Sequence, residues 1–232
     1  MKKSILIWLS IFAISMGIFE GSVVVYLRAL YYPDGFNFPL IIMENKVAIT
    51  ELVREFASLI MLLSIGVLAG KTISQRFAWF IYAFAIWDIV YYIFLYIILG
   101  WPESLLTWDI LFLIPVTWTG PVITPIVVST LMIILSMIIN YFNIKLKRQE
   151  WLMLIVGATI IFTSFIWDYC KFLVKNIDHT ELQNKALSDK LIAVSLSYIP
   201  VQFPWLLFVL GILFLLFTFY IIYKRTINVI HS

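Results

Sequence analysis

The chain of 232 residues is 63% hydrophobic and only 12% charged, with a formal net charge of +3. Soluble domains are nearly half apolar and about a quarter charged, so this balance excludes an ordinary soluble enzyme and defines an integral membrane protein. The basic residues sit where membrane orientation requires them, so no nucleic-acid partner is inferred from the charge.

About 20 apolar residues make one bilayer crossing. On that measure spans are predicted near Ser4 to Leu27, Val47 to Ala69, Phe77 to Leu99, Val122 to Ile144, Trp151 to Val174 and Phe203 to Tyr223. The expected fold is all-α: a polytopic membrane protein with six transmembrane helices in a single domain over 1–232, with no separate soluble catalytic domain.

The first stretch opens with Lys2 and Lys3 like a signal peptide. It runs on past Glu20 without a small-x-small cleavage site, and so reads as an uncleaved helix. Gly17 and Gly21, extended backwards by Ala13, form a small-xxx-small stripe that serves either dimerisation or packing inside the bundle. The second span has a similar pair in Gly66 and Gly70. Its outer half carries an acid-base-acid face, with Glu51 and Glu55 one turn apart and Arg54 within i,i+3 reach of Glu51. On the third span Asp88 is followed about one turn later by Tyr91 and Tyr92. Aromatic faces beside carboxylates suit an organic cation, although tyrosine and tryptophan also collect at membrane interfaces.

The stretch from Gly100 to Pro121 is too apolar for a solvated loop, and Pro102, Pro115, Gly120 and Pro121 interrupt any long helix. A short interfacial or re-entrant helix between helices 3 and 4 is expected. Trp101, Trp108 and Trp118 then act as interface anchors or, together with Asp109, as an aromatic lid. Pro121 and Pro125 mark the fourth span for a kinked or broken entry. The fifth span carries Trp167, Asp168 and, near its end, Lys171; Arg28 holds the matching place on the first. Long basic side chains at such ends can snorkel towards water. The segment from Lys175 to Ser197 is polar and shows no ligand pattern, leaving His179 as an exposed residue.

Lys2, Lys3, Lys71, Arg76, Lys145, Lys147, Arg148, Lys224 and Arg225 all fall on one side of a six-span arrangement, with Glu150 as the accompanying acid. Both termini are therefore expected to be cytoplasmic, in the inner (plasma) membrane of a prokaryotic cell.

Three tripeptides place an acid directly after an aromatic: Ile18-Phe19-Glu20, Ile86-Trp87-Asp88 and Ile166-Trp167-Asp168. Each is followed by an apolar-Pro-apolar step, at Phe38-Pro39-Leu40, Ile114-Pro115-Val116 and Ile199-Pro200-Val201. Three parallel hairpin repeats over 1–70, 71–148 and 149–232 would account for the order. Chance would also produce such matches in a chain this rich in isoleucine and aromatic residues.

A carboxylate within the hydrocarbon costs roughly 2.5 to 3.5 kcal/mol, so acids inside helices need a reason. Glu20, Glu51, Glu55, Asp88 and Asp168 outnumber the bases Arg28, Arg54 and Lys171, so at least two carboxyls lack a protein partner. Such groups must be protonated, hydrated in a cavity or neutralised by a bound cation. Asp88 is the least neutralised, and Trp87, Tyr91, Tyr92 and Trp167 are the aromatic residues beside these acids. The competing reading is an interior network that clamps Arg54 and merely orients helices.

Cys170 is the single cysteine and His179 and His231 the two histidines, which excludes an internal disulfide, CxxC redox chemistry and a bis-histidine haem. Walker, HExxH and GxSxG motifs do not occur, and neither a cofactor nor a metal is expected. Ile86-Trp87-Asp88 and Pro102-Glu103 resemble pieces of the membrane-type lycopene cyclases, which combine a Trp-Asp helix with a following proline-rich acidic segment. That resemblance implies an acid protonating an olefin. The paired glutamates of that family are not matched, since Ser104 follows Glu103, and the activity is not carried over.

Three functions fit these residues. One is a transporter or channel component for a small cation or a proton-coupled solute, with Glu20, Asp88 and Asp168 on the pathway and Glu51, Arg54 and Glu55 as gate or relay. The others are a lipid- or isoprenoid-modifying enzyme using carboxyl acid and base groups, and a non-catalytic subunit of a larger membrane complex. A chain this small would have to form a homodimer or join such a complex to complete a pathway.

Overall fold

The computed structural model describes residues 3–176 and 194–230. Lys2, His179 and His231 lie outside them. Six helices are long and apolar enough to cross a membrane: α1 (Lys3–Tyr31), α2 (Asn45–Ala69), α3 (Ile73–Leu99), α4 (Ile123–Tyr141), α5 (Arg148–Asn176) and α6 (Trp205–Ile230). Most run a few residues past the expected spans. The hydropathy pattern marks only the part that must be apolar, whereas backbone hydrogen bonding continues until a cap stops it.

α3 shows why a helix begins and ends where it does. Thr72 precedes it and accepts a hydrogen bond from the Gln75 N–H, and Gly100 closes it in the left-handed region at φ 65°, donating to the Tyr96 carbonyl. α3 is also the organising helix, packed by α1, α2 and α4. Ala78, Ala83 and Ala85 are fully buried on it and let neighbouring backbones approach.

The glycine stripes are used inside the bundle. A Cβ on Gly17 would lie 2.8 Å from the Trp87 carbonyl oxygen, and one on Gly66 would lie 2.7 Å from the Phe80 nitrogen. α5 and α6 form a second unit, packed together along much of their length. Three apolar clusters result, one of α1, α2 and α3 around Leu62, Trp79 and Tyr82, a second of α3 to α6 around Ile139, Phe165 and Ile222, and a smaller one of Tyr92, Leu95, Trp101 and Val122. At the end nearest the chain termini, Arg225 Nε donates to Glu150 at 2.7 Å, and the same carboxylate accepts from the Lys147 N–H at 2.7 Å. Glu150 and Arg225, which the sequence offered only as markers of orientation, tie α6 to the start of α5.

Between α3 and α4 the expected interfacial or re-entrant helix is replaced by an antiparallel hairpin, β1 (Trp108–Phe112) and β2 (Trp118–Pro121). Trp108 faces Pro121, Asp109 faces Gly120 and Ile110 faces Thr119, with a bulge before the pairing of Phe112 and Trp118. The physical reason is visible in the residues: Pro115 makes the turn, and aromatic and β-branched residues on either side favour extended backbone. Further bonds from the Val122 N–H to the Thr107 carbonyl (3.0 Å) and from the Ile123 N–H to the Leu105 carbonyl (2.8 Å) extend the pairing. Phe112 reaches Phe84 and Trp87, midway along α3, and Trp118 stacks on Phe165 of α5. The hairpin is therefore wedged among the helices rather than lying outside them. Pro121 and Pro125 sit before and within the first turn of α4, where proline is compatible with helix geometry, so α4 begins there without a broken segment.

Candidate functional site

The second half of α1, the start of α2, the second half of α3, the connector between α1 and α2, and the β-hairpin enclose a cavity of about 580 Å³ at the bundle end opposite the chain termini. Helical spacing supplies its charged wall. Glu51 and Glu55 of α2 are buried on the face turned towards α1 and α3, while Ile49, Val53, Phe56 and Ile60 of the same helix are exposed on the opposite face.

Five carboxyls border the cavity, those of Glu20, Glu51, Glu55, Asp88 and Asp109, together with two guanidiniums, those of Arg28 and Arg54. Both guanidiniums are engaged. Arg54 donates from Nε to Glu51 at 2.8 Å and pairs through Nη1 with Glu20 across the gap between α2 and α1. Ser58 donates to the second Glu20 oxygen at 3.4 Å. The i,i+3 pairing of Glu51 and Arg54 expected from the sequence is thus present, and Glu20 completes it.

Arg28 differs from expectation. It does not snorkel to water but is 8% exposed, with its guanidinium carbon 3.8 Å from the centre of the Trp101 ring and 4.6 Å from that of Phe36. Its nitrogen lies 3.7 Å from Asp109. The reason is that Gly100 turns the chain back over α1, bringing an aromatic face to a cation that would otherwise need solvent. Trp101 is therefore neither a lipid-facing anchor nor part of the cavity lining; it holds Arg28. Asp109 also accepts a hydrogen bond from the Tyr92 hydroxyl at 3.1 Å, and Tyr92 lines the cavity with Tyr91 and Trp87. Burial pushes the Asp109 carboxyl up to about 6, against the opposing pull of Arg28 and the Tyr92 hydroxyl.

Of the five cavity carboxyls, those of Glu55 and Asp88 form no ion pair within 4 Å among the described residues. Glu55 accepts the backbone N–H of Leu113, at 2.9 and 3.2 Å to its two oxygens, which pins the hairpin turn to α2. Asp88 accepts from the Ser129 hydroxyl of α4 at 2.8 Å. Among the described residues no three carboxyl, thiol or imidazole groups converge in a geometry that could hold a metal ion.

Besides Trp101, four sequence-derived candidates lie outside the cavity lining. Asp168 accepts from the Tyr198 hydroxyl at 2.9 Å and the Val201 N–H at 3.1 Å, fastening α5 to the segment before α6, and it does not border the cavity. Tyr198 in turn meets Thr119 of β2 at 3.0 Å. The hairpin and α4 stand between α5 and the cavity, so the third tripeptide cannot reach what the first two share. Trp167 is 52% exposed on the outside of α5, Lys171 is exposed beyond it, and Trp108 packs on Phe203.

The sequence passed over several wall residues: Tyr32, Phe36, Ile41, Ile42, Leu52, Phe112 and Thr117. Most are ordinary apolar residues that carry no motif. Tyr32 alone left a trace, as a tyrosine at a helix end; its hydroxyl accepts the Ile41 N–H at 2.9 Å and closes the connector over the cavity.

Fold and site together define a multi-pass helical membrane protein with a charged interior cavity at one end of its bundle. No family model matches the chain, and it has no significant match among curated proteins or solved structures.

Proposed function

We propose that this chain is a transporter or channel component in which a small cation or proton-coupled solute occupies the acid-rich cavity. The observation that carries this reading is the imbalance of five carboxyls against two guanidiniums that are already paired. A cation entering beside Glu55 and Asp88 would neutralise the excess, and protonation of the same acids would weaken its hold. Glu51, Arg54 and Glu20 act as the ion-pair gate between α1 and α2. Arg28, Trp101 and Asp109 hold the hairpin that roofs the site.

Below the cavity, Leu9, Ala13, Leu62, Trp79 and Tyr82 pack tightly, so passage to the other end requires α1 and α2 to shift on α3, or a second copy or partner subunit to complete the path. Reconstitution into liposomes containing a pH-sensitive dye, driven in separate runs by gradients of sodium, potassium and tetramethylammonium, tests the reading. Flux in Asp88→Asn and Glu55→Gln is expected to fall at least about tenfold, at one tenfold per 1.4 kcal/mol of lost interaction, with unchanged melting. Equal flux in wild type and both variants would reject these acids as pathway residues.

The unlike surroundings of Asp88, beside one hydroxyl, and Glu55, beside one backbone amide, favour a second reading in which one acid protonates a lipid-soluble olefin and the other serves as base. Mass spectrometry of lipids extracted from cells expressing wild type or Asp88→Asn would reveal a product present only with the former.

A further inference from the structure

The cavity lining is of two chemical kinds. Glu55 of α2 and Asp88 of α3 are acidic, whereas Leu40, Ile41 and Ile42 of the connector and Leu52 of α2 form an aliphatic wall. This aliphatic wall is also where the cavity opens. Ile42 is 72% exposed and Ile41 and Leu52 more than a third, although all three line the interior. Leu52 sits one turn from Ile49 and Phe56, so the opening continues directly into the exposed apolar stripe of α2. α1 and α2 touch only along a short stretch, each packing instead on α3, and the groove between them is bridged by Arg54 and Glu20. An acid-rich interior whose exposed rim is aliphatic is poorly suited to a hydrated inorganic ion arriving from water. It matches a molecule with a cationic head and an apolar tail.

We infer that the cavity takes an amphiphilic organic ammonium, entering sideways from the bilayer between α1 and α2, with its cationic nitrogen at Glu55 and Asp88 and its alkyl tail along Ile41, Ile42 and Leu52. This rests on reading the cavity as a cation site, and it adds the substrate class and the route of entry. Tyr91 and Trp87 also line the cavity, and aromatic residues suit a methylated nitrogen. The tail needs no closed pocket, because the rim hands it to the hydrocarbon.

The test uses the full-length protein in zwitterionic nanodiscs, titrated with trimethylammonium ions bearing alkyl tails of increasing length from methyl to octyl, with empty nanodiscs subtracting simple partitioning. Affinity for the octyl compound is expected to exceed that for tetramethylammonium by at least about tenfold, a gain well within the roughly 0.8 kcal/mol available per buried methylene. It should drop by at least about tenfold, or 1.4 kcal/mol, in both Asp88→Asn and Glu55→Gln, each checked for an unchanged melting temperature. Leu52→Trp, which fills the side opening, should remove the dependence on tail length. Tetramethylammonium binding that depends on Asp88 but gains nothing from a longer tail would overturn the amphiphile and leave the cation site standing. Octanol binding as tightly as the octyl ammonium would overturn the charge recognition, and no binding of any ammonium would overturn the ammonium site, leaving the liposome flux with sodium and potassium to decide the cation reading.

Discussion

Asp109 sits 2% exposed at the meeting of the hairpin with α1 and α3, where its carboxyl faces Arg28 and the Tyr92 hydroxyl. Its ordinary value of 3.8 is raised to about 6 because burial penalises the charged form more than Arg28 and Tyr92 favour it. Between those two values the folded chain keeps a proton that the unfolded chain has released. The contribution to stability is therefore fully present below about pH 4 and is lost as pH rises through about 6, on the order of 3 kcal/mol in all. The melting temperature of wild type minus that of Asp109→Asn should accordingly become more negative between about pH 4 and pH 7. A difference that stays constant across that interval would show that Asp109 does not titrate there.

At the scale of the element, α1 and α3 approach as closely as they do because Gly17 and Gly21, one turn apart on α1, carry no side chain where they meet α3. A Cβ on Gly17 meets backbone, the Trp87 carbonyl oxygen at 2.8 Å, whereas one on Gly21 meets the Phe94 ring edge at 2.5 Å, which can turn aside. Gly17→Ala is thus expected to cost about 1 to 3 kcal/mol, and Gly21→Ala less. Thermal unfolding in detergent would order them, and a neutral Gly17→Ala would refute the contact. The stripe was legible in the sequence as a close-approach surface. Whether it faced another copy or another helix was not, because spacing records a smooth face and not its partner. The hairpin was misread as a helix for a related reason: high apolarity and scattered prolines set aside a long helix but leave the extended pairing of Asp109 with Gly120 to be decided by contacts with α3 and α5, far off in the chain.

Across the whole molecule, the α5 and α6 pair leans on the remaining helices chiefly through β2 and limited contacts with α4, so its own closure matters. Glu150 supplies much of that closure, accepting from Arg225 at 2.7 and 3.1 Å and from the Lys147 N–H. Glu150→Gln should cost about 1.5 to 3 kcal/mol, the range for hydrogen bonds to charged groups. Hydrogen exchange would then speed up in α5 and α6 while amides of α1 and α3 stay protected. Uniform acceleration throughout the bundle would mean instead that the six helices open as one unit.

By itself the sequence determined the six spans, the presence of acids inside them and the pairing of Glu51 with Arg54, since hydropathy and helical periodicity are local properties of consecutive residues. Only the tertiary structure decided that Glu20, Glu51, Glu55, Asp88 and Asp109 share one cavity, that Asp168 is turned away to Tyr198, and that Arg28 rests on Trp101. Those outcomes depend on which helix faces which and on where the hairpin wedges between them. Such choices arise from packing among residues far apart in the chain, and no short motif carries them.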